Sequence, residues 1–100
     1  MPENKLITEE HDILMDALLA LNNREECYKF LDDLLTRKEM DDLSQRLMVA
    51  MMLKNGSTYS DITSATGASS ATIGRVNRAF TYGSDGYKLI IDRLNGKTND

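Results

Sequence analysis

One hundred residues, 41% hydrophobic and 28% charged with a net charge of −4, fit one globular domain rather than a fibrous, disordered or membrane-embedded chain. No apolar run nears the roughly 20 residues of a membrane span, and Met1-Pro2-Glu3-Asn4-Lys5 does not open a secretory leader. The single cysteine, Cys27, excludes an intrachain disulfide and a cysteine-built zinc site, so a reduced cytoplasm is the expected compartment.

With one proline, six glycines and only two valines, the composition favours helix over strand, and the fold class is read as all-α with six helices. The first helix follows the cap residue Thr8, with Glu9 and Glu10 complementing the dipole of its first turn. Leu14, Leu18 and Leu21 form its apolar stripe, and Asn22-Asn23 breaks it. Asn23 and Glu26 have the spacing of a capping box for the second helix, whose apolar residues are Cys27, Phe30, Leu31 and Leu34.

Thr36 and Glu39 repeat that signature for the third helix. Its stripe begins with Met40, Leu43 and Leu47, then widens into Leu47-Met48-Val49-Ala50-Met51-Met52-Leu53, apolar around the whole circumference. Such a helix needs cover on several sides. In a chain this short a second subunit is the natural cover, and a central helix in a monomer is the alternative. Gly56 is read as its left-handed cap. Two short helices at about 58–65 and 70–80 are hinged at Thr66-Gly67-Ala68, and the last helix is read as 84–95, with Tyr87, Ile90, Ile91 and Leu94 on one face. The expected organisation is a single domain over 1–100. Within it lie a helical dimerisation scaffold at 8–55, a helix-turn-helix at 57–80, the final helix and a flexible tail at 96–100.

The helix-turn-helix carries the functional argument. Gly67 supplies the backbone freedom that a tight turn between crossed helices needs, and Ser69 caps the second helix. Ile62 faces Ile73, Val76 and Phe80, so the opposite face presents Ser69, Ser70, Ala71, Gly74, Arg75 and Arg78. Small and hydroxylated residues let a helix sit deep in a major groove, and arginines suit guanine edges or phosphates. Gly74 costs a helix about 1 kcal/mol relative to alanine and suits a place where something approaches closely. The charge distribution agrees. Residues 1–56 carry seven basic against twelve acidic side chains, whereas residues 57–83 carry Arg75 and Arg78 against Asp61 alone. The DNA-contacting set is Thr58, Ser69, Ser70, Ala71, Thr72, Gly74, Arg75 and Arg78, with Lys54 as a phosphate contact. The bland alternative is an αα-hairpin with capped ends.

From Leu35 to Gly83 the chain resembles the Trp repressor family. The stretches that carry the resemblance are Leu35-Thr36-x-x-Glu39, Leu43, Arg46 and Gly56, and above all Gly67-Ala68-x-x-Ala71-Thr72-Ile73-x-Arg75. The resemblance implies an intertwined homodimer whose two reading helices meet successive major grooves of double-stranded DNA roughly 34 Å apart. It also implies transcriptional control, usually repression at an operator. It maps an effector pocket onto Leu35, Thr36, Arg46 and Arg75, where a guanidinium suits both an aromatic face and a carboxylate. The retained set points to an amino-acid-like corepressor, and departures from the family point away from tryptophan itself. Val76 stands where the family has a glycine that leaves room for the ligand, Ala79 where it has a serine, and Asp33 where it has an apolar pocket residue. The structural alternative for Thr36 and Arg46 is an N-cap and a solvated arginine.

Catalysis has little support. His11 is the only histidine, read as a solvated helix residue, and neither a Walker motif nor a dinucleotide fingerprint occurs. No metal site is expected. The rival to DNA reading is a helical protein-interaction module. An exposed ridge of Ser69, Ser70, Arg75 and Arg78 favours DNA, and burial of that ridge favours a protein partner.

Overall fold

The computed structural model describes residues 8–96. They form six helices and no strand: α1 Glu9–Leu19, α2 Arg24–Leu34, α3 Arg37–Lys54, α4 Tyr59–Thr66, α5 Ser70–Tyr82 and α6 Gly86–Gly96. The chain divides into two compact units, with the boundary between Met40 and Asp41 in the first turn of α3. No described helix is long and apolar enough to cross a membrane.

Local capping fixes the starts of these helices. Thr36 Oγ1 accepts from the Glu39 amide at 3.1 Å, and Glu39 Oε1 accepts from the Thr36 amide at 2.8 Å, the reciprocal box expected for α3. At α2 the Asn23 side chain accepts from the Glu26 amide, but Glu26 reaches back one residue further, to the Asn22 amide at 2.9 Å. His11 is exposed on α1, as expected of a solvated helix residue, and also completes a cap. Its Nδ1 accepts from the Thr8 amide at 3.0 Å while Thr8 caps the His11 amide, so the imidazole takes the place usually held by Glu or Gln.

In the first unit neither α1 nor α2 holds a buried residue. Leu14, Leu21, Cys27, Phe30 and Leu31 are half-buried, whereas Ile13 and Leu19 are 66% and 83% exposed. The second unit has a core. Val49 and Ala50 of α3, Ile62 of α4, Ala68 of the turn, Ile73 and Val76 of α5 and Ile91 of α6 are buried together, flanked by Met51, Met52, Leu53, Phe80 and Tyr87. Only part of the apolar circumference of α3 is covered, and Met48 is 49% exposed.

The end of α3 closes as expected. The Ser57 amide donates to the Met52 carbonyl and the Gly56 amide to the Leu53 carbonyl, both at 3.0 Å, in a Schellman arrangement with Gly56 left-handed. Two boundaries differ from the sequence expectation. The reading helix α5 continues past residue 80 to Tyr82. It stops where a side chain cannot follow, because a Cβ on Gly83 would lie 2.4 Å from the Ala79 carbonyl oxygen. The last helix starts at Gly86 rather than residue 84, because Asp85 sits at φ +67°, outside the helical region. It also includes Gly96, which the sequence assigns to the tail, while residues 97–100 of that tail lie outside the described residues.

Candidate nucleic-acid interface

Each helix of the helix-turn-helix is locally well specified. Thr58 Oγ1 accepts from the Asp61 amide at 3.1 Å to start α4. Gly67 ends it at φ +76° and donates its amide to the Thr63 carbonyl at 2.8 Å. A left-handed residue costs glycine nothing sterically and most other residues about 1 kcal/mol or more. Ser69 Oγ accepts from the Thr72 amide at 3.1 Å to start α5, three residues after α4 ends. Ile62, Ala68, Ile73 and Val76 are buried between the two helices and their neighbours, which turns the other face of α5 outward.

Along that outward ridge runs a shallow groove of about 640 Å³ lined by Ala71, Gly74, Arg75, Arg78, Ala79, Tyr82 and Gly83. Four of the residues expected to read DNA, Ala71, Gly74, Arg75 and Arg78, are therefore together on one ridge. Ser69 and Ser70 are exposed at its N-terminal end. A Cβ built on Gly74 meets nothing within 4 Å, so no neighbour within the chain requires glycine there.

The remaining predicted residues are placed otherwise. Thr72 is half-buried and its hydroxyl accepts from Ser69 Oγ at 3.2 Å. Lys54 is paired at 3.5 Å with Asp92 of α6. An exposed pair of this kind is worth roughly 0–1 kcal/mol, little enough for a phosphate to displace it. Of the expected effector set, Arg75 lines the α5 groove and Arg46 is exposed on α3. Leu35 is half-buried, and the Thr36 hydroxyl serves as the α3 cap. Val76 is buried in the core, so the side chain that distinguishes this position from the family pattern fills protein interior. Among the described residues no group of three or more His, Cys, Asp or Glu is placed to hold a metal.

Sequence reasoning did not single out Tyr82, which is 84% exposed at the C-terminal end of the groove. Nor did it find Gln45, Tyr59 and Asn77, whose side chains bond across helices. A run of two further polar positions after Phe80, before the next glycine, was the signal available for Tyr82.

An all-α scaffold that presents a capped helix-turn-helix with an open, arginine-bearing second helix is the architecture of a DNA-binding regulator. The Trp repressor protein family matches residues 9–95, and the chain belongs to that family. The Bacillus subtilis (strain 168) protein YerC, itself uncharacterised, is 49% identical over 94 residues, which cover 94% of this chain and 90% of YerC. A crystal structure of a candidate Trp repressor from Staphylococcus aureus superposes with a TM-score of 0.88 at 53% identity, over 95% of each chain. A TrpR-like protein from Eubacterium eligens ATCC 27750 gives a TM-score of 0.89 at 48% identity, covering 92% of this chain and 95% of that one. The family has a regulator fold, and the protein is a regulator rather than an enzyme.

Proposed function

We propose that the protein is a homodimeric, sequence-specific repressor that places the α5 helices of two subunits in successive major grooves of a pseudo-palindromic operator. The observation that carries this reading is the α5 ridge. Ser69, Ser70, Arg75 and Arg78 are all exposed on it, and Gly74 leaves its centre without a side chain. No other described residue covers this ridge, so its side chains are free to meet DNA. The exposed caps of α4 and α5 add amide-rich helix N-termini, which favour phosphate.

Two observations support a pair of subunits. Arg75 and Arg78 are the only cations between residues 57 and 83, a thin footprint for one chain. Apolar surface also calls for cover. Leu47 of α3, Ala79 of α5, Ser84, and Gly86, Tyr87 and Ile90 of α6 line a groove of about 430 Å³, and Leu43 and Met48 of α3 and Leu89 and Leu94 of α6 are exposed. A second copy of the chain is the partner that would bury them. Leu47→Asp is expected to convert the dimer to a monomer in sedimentation velocity and to abolish operator binding. A variant that still sediments as a dimer places the interface elsewhere.

Control by a small molecule belongs to the same proposal. Arg75 on the groove offers a guanidinium to a carboxylate, so an amino-acid-like effector is the chemical class that fits. The buried Val76 and the hydroxyl-free Ala79 argue against tryptophan itself. Gly74→Ala separates reading from folding. It should stabilise the helix by about 0.5–1 kcal/mol in urea unfolding, yet weaken DNA binding if the groove enters closely; higher stability with unchanged affinity removes Gly74 from the interface. The test of the whole reading is selection from a random duplex pool, with and without an amino-acid mixture. A two-fold-symmetric motif supports it, and dependence on the mixture identifies the effector class. No enrichment in either condition would move the assignment to a protein-interaction module.

A further inference from the structure

The first helix of the reading head is held by surprisingly little apolar packing. α4 has eight residues and a single buried side chain, Ile62. One buried point fixes where a short helix sits and leaves its tilt about that point to other contacts. Polar bonds supply those contacts at both ends. Gln45, half-buried on α3, donates its Nε2 to the carbonyl of Thr66 at 3.0 Å, from 21 positions earlier in the chain. Thr66 is the last residue of α4, so its carbonyl is one of those that a helix cannot satisfy internally.

Thr66 also holds the turn. Its hydroxyl donates to the Ile62 carbonyl at 2.7 Å and accepts from the Ala68 amide at 3.1 Å. The end of α4, the turn into α5 and the scaffold helix α3 are therefore joined through one residue. At the other end Asn77 Nδ2 donates to the Tyr59 hydroxyl at 3.4 Å, linking the first residue of α4 to the middle of α5. Hydrogen bonds are directional where apolar contact is not, and directional contacts are what set an angle.

We propose that Gln45 is a positioning residue for DNA recognition, setting the angle at which the helix-turn-helix stands on α3 and hence how the α5 ridge meets the groove. This rests on the DNA-reading function proposed above. Its consequence is specific. Loss of the Gln45 bond leaves the core of Val49, Ile62, Ile73 and Val76 intact but lets the reading head tilt. Correct base contacts suffer from a tilt, and contacts to a uniform phosphate backbone do not.

The experiment compares the full-length parent with Gln45→Met, which keeps the volume of the side chain and removes its donors. The Met variant is expected to retain helix content and to lose about tenfold in affinity for the selected operator, roughly 1.4 kcal/mol. Affinity for random-sequence duplex should stay as in the parent. Amide hydrogen exchange at Gly67 and Ala68 should accelerate while that of the α5 core residues stays unchanged, a local pattern that general destabilisation does not give. Operator affinity within about twofold of the parent, or parental exchange at Ala68, overturns the proposal. Should the Met variant not fold, the parent decides alone. A Gln45 side-chain amide protected from exchange supports the bond, and exchange at the free-solvent rate overturns it. If the parent itself fails to distinguish operator from random DNA, the repressor reading falls and the positioning role for recognition falls with it, while the exchange data still report whether the bond forms.

Discussion

Removing both guanidiniums from the α5 ridge, with Arg75→Ala and Arg78→Ala together, is expected to abolish operator-specific binding while leaving the fold unchanged. Both side chains are exposed and line the same groove, so neither contributes to the core. A bidentate arginine on a guanine edge is worth about 1–3 kcal/mol of discrimination. Two arginines on each of two subunits put the loss at about a thousandfold or more in affinity. Titration by fluorescence anisotropy against the selected duplex and a scrambled one reads the effect. A larger loss on the selected duplex marks base readout. An equal loss on both, with a salt slope lower by about one per arginine per subunit, marks phosphate contact instead. Unchanged affinity for the double variant would remove α5 from the interface.

Ile73→Ala is expected to destabilise the protein by about 2–5 kcal/mol. Ile73 is fully buried in the cluster it shares with Ile62, Val76 and Val49, where truncation removes apolar contact and leaves a cavity. Against a typical unfolding free energy of about 5–15 kcal/mol the change is large. Urea unfolding reads it, at one fixed protein concentration because dimerisation couples stability to concentration. DNA binding should be lost only as the folded fraction is lost, which separates this substitution from those on the ridge. A cost below about 1 kcal/mol would mean that α5 is not anchored through this face.

How much of this was legible in the sequence follows from the range of each interaction. Caps act over three residues, so Thr8, Asn23, Thr36 and Ser69 could be placed from spacing alone and all four cap their helices, whereas spacing left Ser57 or Thr58 for α4 and the cap is Thr58. The turn glycine and the inward face of Ile62, Ile73 and Val76 follow from turn chemistry and helical period, and the buried set agrees. Interactions that join distant positions were not legible. Gln45 and Thr66 meet only because α3 and α4 pack, and nothing in a run of polar letters marks one glutamine as a long-range donor. His11 went unnoticed as a capping partner because the box signature expects a carboxylate or amide at that place. Asp85 begins α6 late because an aspartate can adopt the left-handed region without glycine's signature. The α5 ridge could be anticipated from helical period, whereas Tyr82 joins it only because the helix runs two residues further than periodicity suggested.

The claim that two reading helices of one symmetric dimer occupy successive major grooves is tested most directly by hydroxyl-radical footprinting of the selected duplex, with stoichiometry measured on the same complex. The account predicts two chains per duplex and two protected half-sites related by two-fold symmetry, their centres about 10–10.5 base pairs apart. A single protected patch, or one chain per duplex, would contradict it.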